Sequence, residues 1–542
     1  MRRMIKKTRW PIMARVVGSI LGLLVCASLV AAGTLPLPSV AATSSITAND
    51  LKRHLTFLAS DELGGRYTLS PSNLIAARYL ASELEYYGYR GAGKNGSYFQ
   101  PVPLVFRQAD AGASSITLKS GGESTKFKFG DDFAQIFPYD ANVSGELVFV
   151  GFGVSAPDRG EDDYAGLDVK GKIVVRLFGT SAAMKGIQLG LDEAGDRAAV
   201  LHGAVASIVI SPARFIGEWA NIKDRALEKG QLSLPPKPDE IAVKFPSVLA
   251  GDALVKALSS ILGAPVVNLY SPEGKAFKSR PLAASAGLRI VVESKPAPPA
   301  QNVAGILEGT DPVLKNEYVC FSAHYDHLET ENGQIYNGAD DDGSGTVSVL
   351  EIARALTVQR PKRSVLIMFH TGEELGLFGS TYNTDYNPVV PLNRIVTDLN
   401  IDMVGRSRPP DDKDPRDAHL TDENSIYIIG ADKLSSELNK INQETDADTV
   451  KMRFDYTYND ESNPERFYYR SDHYNYAKHG IPVIFYFTGV HRDYHEPTDK
   501  VDKIDFAKME RIDRLIFAVG WRVANLDHRL VVDKKPAPEI DN

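Results

Sequence analysis

The sequence predicts an α/β fold: a mostly parallel central sheet flanked by helices on both faces, interrupted by a small β-rich insertion. Three observations predict it. Four largely apolar runs in the C-terminal half, Tyr318–Ser322, Ser364–Phe369, Ile395–Ile401 and Pro482–Phe487, have the texture of strands buried on both faces. Helical patterns fall between them, notably Thr346–Leu356, and Phe506–Leu526 closes the chain. From about 110 to 290 the texture changes to short β-like runs among Gly and Pro.

Residues 1–42 read as an export leader. Arg2, Arg3, Lys6, Lys7, Arg9 and Arg15 form a basic head without an acid, an apolar stretch runs from Val16 to Ala32, and small residues follow Pro36 and Pro38. Cleavage is expected near Ala41 or Ala42, giving a periplasmic or secreted protein; a retained N-terminal membrane anchor is the alternative, because the apolar stretch nearly spans a bilayer. Residues 43–110 form the N-terminal part of the main domain. Within them 47–90 look helical, with one stripe at Leu51, Leu55 and Leu58 and another at Ile75, Tyr79, Leu80, Leu84 and Tyr87, separated by the turn Asp61-Glu-Leu-Gly-Gly-Arg66.

Residues 111–292 are assigned to the inserted module, on strands Gly145–Val150, Lys172–Leu177 and Ala206–Ile210 and a helix over Gly195–Ala204. Lys295–Ala300 is a proline-rich linker, 293–530 carry the rest of the main domain, and 531–542 are a tail.

The 542 residues are 43% hydrophobic and 24% charged, which excludes a wholly disordered chain. Taking the leader's six basic residues from the total of 61 leaves 55 against 69 acids, a net charge of about −14. Such a chain has no electrostatic footprint for nucleic acid, and none for a membrane once the leader is removed. With Cys26 in the leader, Cys320 stands alone in an apolar run and reads as a small core residue.

The residues with chemistry stand at the ends of the candidate strands, where open α/β sheets bind ligands. His324-Tyr-Asp326 follows one strand, with His327 a nearby competitor. Asp340-Asp-Asp342 lies among glycines, Glu373-Glu374 follows the Ser364–Phe369 strand, and Asp402 ends the next. His495 lies in a polar loop, and His473 is a further candidate. Imidazoles and carboxylates in this number suit a metal centre. Adjacent buried carboxylates repel, so one of the Glu pair needs a cation and the other can hold or pass a proton. Each motif also has a blander reading: a solvated histidine, acids at a helix start, an aspartate cap. Asp340, Asp342, Ser344, Gly345 and Glu351 further fit the spacing of a calcium loop, although the turn-rich approach lacks an entering helix.

Together Ala323-His-Tyr-Asp326, Gly338-Ala-Asp-Asp-Asp-Gly-Ser-Gly345, Gly372-Glu-Glu-Leu-Gly-Leu-Phe-Gly-Ser380, Asn400-Ile-Asp-Met403 and Tyr494-His-Glu-Pro-Thr-Asp499 resemble the co-catalytic zinc aminopeptidase family. That family includes bacterial leucyl aminopeptidases, glutamate carboxypeptidase II and the transferrin receptor. The middle module resembles a protease-associated domain more loosely, through Asp163-Tyr164, Gly171-Lys172-Ile-Val-Val175 and Gly203-Ala204. The resemblance implies a zinc exopeptidase fold and two Zn2+ per chain. His324 and Asp402 would hold one, Glu374 and His495 the other, and Asp341 would bridge both. Asp326 would orient His324, and Glu373 would be the general base for hydroxide attack on a peptide carbonyl. The implied substrates are peptides with a free N-terminus. Carboxypeptidase or glutaminyl-cyclase chemistry at the same centre, or a catalytically silent peptide-binding protein, are the alternatives.

Overall fold

The computed structural model describes residues 35–135, 138–157, 160–179, 193–211, 219–224, 226–227, 230–235, 245–265, 269, 278–460, 463 and 465–535. The basic head and apolar stretch of the expected leader lie outside them. The described residues from Leu37 onward cluster into one unit. It opens with a short helix, Val40–Ser45, capped by Ser39 and burying Ala42, so the expected cleavage point falls within a helix. Among the described residues no helix is long and apolar enough to cross a membrane.

A nine-stranded mixed α/β sheet organises the chain's N- and C-terminal parts. Its centre is four parallel strands in the order Ser364–His370, Tyr318–His324, Ile395–Ile401 and Val483–Phe487. Antiparallel neighbours flank them: Ala300–Leu307 on one side and Ser425–Ile429 on the other. Three of the four run one residue or more from the predicted bounds, and every residue of the four is buried.

Burial on both faces explains the unbroken apolar texture. Phe321 and Leu399 meet the long helix Phe506–Asn525, where a Cβ on Gly520 would stand 2.2 Å from the Phe321 ring, so only glycine lets the helix come this close. Cys320, Leu366 and Phe485 face the other way, into a cluster with Tyr474 and Tyr476 of the helix His473–Ala477. The long helix also packs on Gly345–Val358 and Ala48–Leu58.

Strands between Ser115 and Ile290 build a second, eight-stranded sheet with its own apolar cluster, including Phe127, Phe149, Ile173, Ile208, Leu254 and Leu258. The helix expected over Gly195–Ala204 spans Glu193–Leu201. The expected linker is different. Val292–Pro296 pairs with Val105–Ala109, which also pairs with Gln231–Ser233, and the next strand starts at Ala300. Pro296 closes its strand, a position where a missing N–H breaks no ladder.

Candidate metal centre

The four parallel strands end on one side of the sheet, and the loops leaving them bring the predicted residues together. His324 is the last residue of its strand, Glu373 and Glu374 follow His370 by three and four residues, and Asp402 follows Ile401. His495 arrives on the loop after Phe487 with φ +56, a left-handed conformation uncommon for a residue with a Cβ. Met403, next to Asp402, shares it with φ +54.

Asp341 lies between two groups. Its Oδ1 is 3.3 Å from His324 Nε2, which is 3.8 Å from both Asp402 Oδ1 and Glu373 Oε2. Its Oδ2 is 3.0 Å from His495 Nε2, itself 3.0 Å from Glu374 Oε2. His324, Glu373 and Asp402 form one set of donors able to hold a metal ion, and His327, Asp341 and Glu374 a second.

Whether these residues fit a metal can be tested on their own geometry. His324 Nε2, His495 Nε2 and Asp341 Oδ2 are buried and have no hydrogen-bond partner. A buried polar atom without a partner calls for a reason, and a cation held between such atoms is one. Two donors each about 2.0–2.2 Å from one tetrahedral ion stand about 3.4 Å apart. The 3.0–3.8 Å spacings bracket that value while missing hydrogen-bond geometry. Imidazole and carboxylate donors suit zinc. The residues fit.

Charge in the cluster is strongly coupled. Burial opposes the charged form of His324, yet Glu373 and the carboxylates of Asp326, Asp341 and Asp402 hold its pKa well above the usual imidazole range. His495 is likewise raised, to about 10: burial opposes it and Asp341 and Glu374 prevail. Burial also works against ionised Asp341, but the imidazoles of His324 and His495 close beside it keep it well below the usual range. Glu373 goes the other way. Burial, then Glu374, Asp402 and Asp472, push it well up against the pull of His324. Of the adjacent glutamates, one therefore favours the charged form and the other the protonated form, because burial and neighbouring charge act differently on the two.

The structure adds detail around these residues. The nearest partner of His324 Nδ1 is the main-chain oxygen of Asp326 at 3.2 Å; the Asp326 carboxylate stands at 3.6 Å and accepts from Glu373 N and Thr68 Oγ1. Asp326 thus touches both the ligand loop and the Glu373 backbone. Of the three consecutive acids, only Asp341 joins the centre. Asp340 accepts from Gly405 N and His491 Nε2, and Asp342 accepts from the amides of His324, Gly345 and Met403. Glu351 is buried against His54 and Arg354, which removes the calcium-loop reading. His473 is a core residue stacked on Phe485, its pKa lowered to about 3 by burial.

Sequence reasoning named His327 only as a competitor. Its Nδ1 is 2.8 Å from Glu374 Oε1 and 3.8 Å from Asp341 Oδ2. His495 is the closer of the two to Asp341. Ser471, which donates to Asp402 Oδ2 at 2.7 Å and accepts from Asn400 Nδ2, was missed as well; serine beside a candidate histidine carries no signal of its own.

Residues 302–520 match the model of Peptidase family M28. Over this segment the chain is similar to that family. The segment contains all seven residues singled out from the sequence. The chain is 34% identical over 140 residues to the probable leucine aminopeptidase 2 of Aspergillus oryzae, covering 26% of this chain and 27% of that protein. It is 24% identical over 280 residues to the aminopeptidase YwaD of Bacillus subtilis, covering 51% of this chain and 54% of that protein. The matches thus span from about a quarter to about half the length of these relatives. Among solved structures, the aminopeptidase from Aneurinibacillus sp. strain AM-1 superposes with a TM-score of 0.52 at 20% identity, over 91% of this chain and 97% of that one, a likeness of fold.

Proposed function

We propose that this chain is an exported zinc aminopeptidase that holds two zinc ions and removes N-terminal residues from peptides. The observation that carries the proposal is the position of Asp341, whose two oxygens each face a different imidazole, both unpaired. A carboxylate so placed suits a bridge between two cations. His324 and Asp402 would hold one ion, Glu374 and His495 the other. The names of the relatives, two of them aminopeptidases, support the substrate class. We further take 111–292 as an inserted, protease-associated-like domain, on the strength of its separate sheet and apolar cluster.

Bound zinc would supply Lewis acidity to the peptide carbonyl and bring the pKa of water to about 7. The rest falls to side chains. Glu373, buried and pushed up, stands beside the His324–Asp402 set. Its ionised form, which the positive charge of zinc held beside it would favour, takes the proton of the attacking water and returns it to the departing amine as the C–N bond breaks, so one residue serves as base and then acid. Asp326 holds the Glu373 amide at 3.2 Å and steadies its approach. Acids not fully neutralised by metal attract the substrate's ammonium group, which favours a free N-terminus.

Glu373→Gln tests this. Shape and metal ligands are kept, so zinc content is expected to stay at the wild-type level while turnover of aminoacyl chromogenic amides falls about 10²- to 10⁴-fold. Near-wild-type turnover removes the assignment. Running the same amides against C-terminal dipeptides and N-terminal glutaminyl peptides decides the reaction class.

A further inference from the structure

Arg66 ends the double-glycine turn of the N-terminal segment, far in sequence from every residue of the centre. Its side chain is fully buried, and its partners are main-chain carbonyls. Nε donates to Tyr325 O at 2.8 Å, Nη1 to Asn337 O at 2.6 Å and Leu58 O at 2.9 Å, and Nη2 to Gly338 O at 2.9 Å. Its own carbonyl accepts from His327 N at 3.2 Å and Asn73 Nδ2 at 3.0 Å.

Two of these segments matter for the metal centre. Tyr325 stands between His324 and Asp326, and Asn337-Gly338 leads into Asp340-Asp341. The second loop is held from its other end by a charge of opposite sign, since Asp499 accepts from the amides of Asp340 at 2.8 Å and Asp341 at 3.2 Å. It also closes tightly on itself: Gly338 has φ +56, and a Cβ there would stand 2.3 Å from Asp341 O.

Burying a guanidinium costs several kcal/mol unless its N–H groups are satisfied and its charge is answered. Four carbonyls do the first, and the nearby acids Asp341, Asp342, Asp326 and Asp499 do the second. A rigid planar fork reaches four acceptors at fixed angles, which a lysine's single ammonium cannot do.

We propose that Arg66 is a positioning residue for the metal centre: it fixes the spacing between the His324 loop and the Asp341 loop and so sets the affinity for zinc. This rests on reading those loops as ligand loops. It adds a residue outside the M28-like segment, tying the N-terminal part of the chain to the centre.

The test is zinc affinity by competition with a chromogenic chelator, on full-length wild type, Arg66→Lys and Arg66→Met, with Tm recorded metal-free and zinc-saturated. Both variants are expected to bind zinc about 10- to 100-fold more weakly, the cost typical of losing a group that orients ligands. In Arg66→Lys, kcat is expected to return towards wild type at high zinc while KM stays unchanged. Wild-type zinc affinity in either folded variant overturns the proposal, whatever its Tm. Failure of both variants to fold in the presence of zinc also overturns it, making Arg66 a core residue. Affinity is read without substrate, so the outcome is independent of which peptide bond the centre cleaves.

Discussion

Side chains here act by which atoms they leave unpaired. Asp341 keeps both oxygens towards imidazoles, whereas Asp340 and Asp342, one peptide away on either side, spend theirs on backbone amides and His491. Removing Asp341 should therefore do what removing neither neighbour does. Asp341→Ala is expected to lose both zinc ions, measured as metal per chain after desalting; a variant retaining two would discard the bridge. The paired histidines make a sharper comparison. His495 Nε2 lies 3.0 Å from both Asp341 and Glu374, while His327 already bonds Glu374 Oε1. His495→Ala is expected to lose one zinc and His327→Ala to keep two at reduced affinity. Should those results be reversed, His327 is the ligand.

Strands do two jobs, carrying ligands at their ends and closing the core along their length. Asp398 lies within Ile395–Ile401, fully buried, its pKa raised to about 7 by burial despite hydrogen bonds from Ser322 and Cys320. The unfolded chain's aspartate titrates near 4. Between about pH 4 and 7 the native state therefore binds more protons than the unfolded state, and stability falls as pH rises through that window. A shift of this size is on the order of 4 kcal/mol by pH 8. Asp398→Asn removes the ionisation, so the Tm difference between variant and wild type should become more favourable from pH 5 to pH 8; no pH trend would refute it.

The strands that carry this acid were legible from sequence because burial on both faces leaves an unbroken apolar run. Site residues were legible because they follow those runs directly. Helix Pro71–Tyr86 was harder: its inward face is Asn73, Ala76, Ala77, Leu80 and Leu84, while Leu74 and Ile75 face solvent. Small residues let the helix sit close to its neighbours, and a hydrophobicity pattern undercounts them. Arg66 and Asp499 were illegible as supports because each works through main-chain atoms, which any sequence supplies.

Ligands drawn from 324 to 495 make the metal centre a tie across the whole molecule. Three parallel strands, two loops and, through Arg66, the N-terminal segment converge on a group of carboxylates that repel one another when no cation lies between them. A ligand that binds the native but not the unfolded chain adds RT ln(1 + [L]/Kd), on the order of 4 kcal/mol at a thousandfold excess over Kd. Chelation should remove that contribution. Tm is expected to fall by several degrees when the zinc-loaded protein is dialysed against a chelator, and to recover on adding two equivalents of zinc. Protons compete with metal for His324 and His495, whose pKa values are both raised, that of His495 to about 10, so the zinc-dependent part of Tm should shrink as pH falls from about 10. A Tm indifferent to chelator at every pH would mean that these strand ends gather their acids without a metal, and the hydrolase reading would go with it.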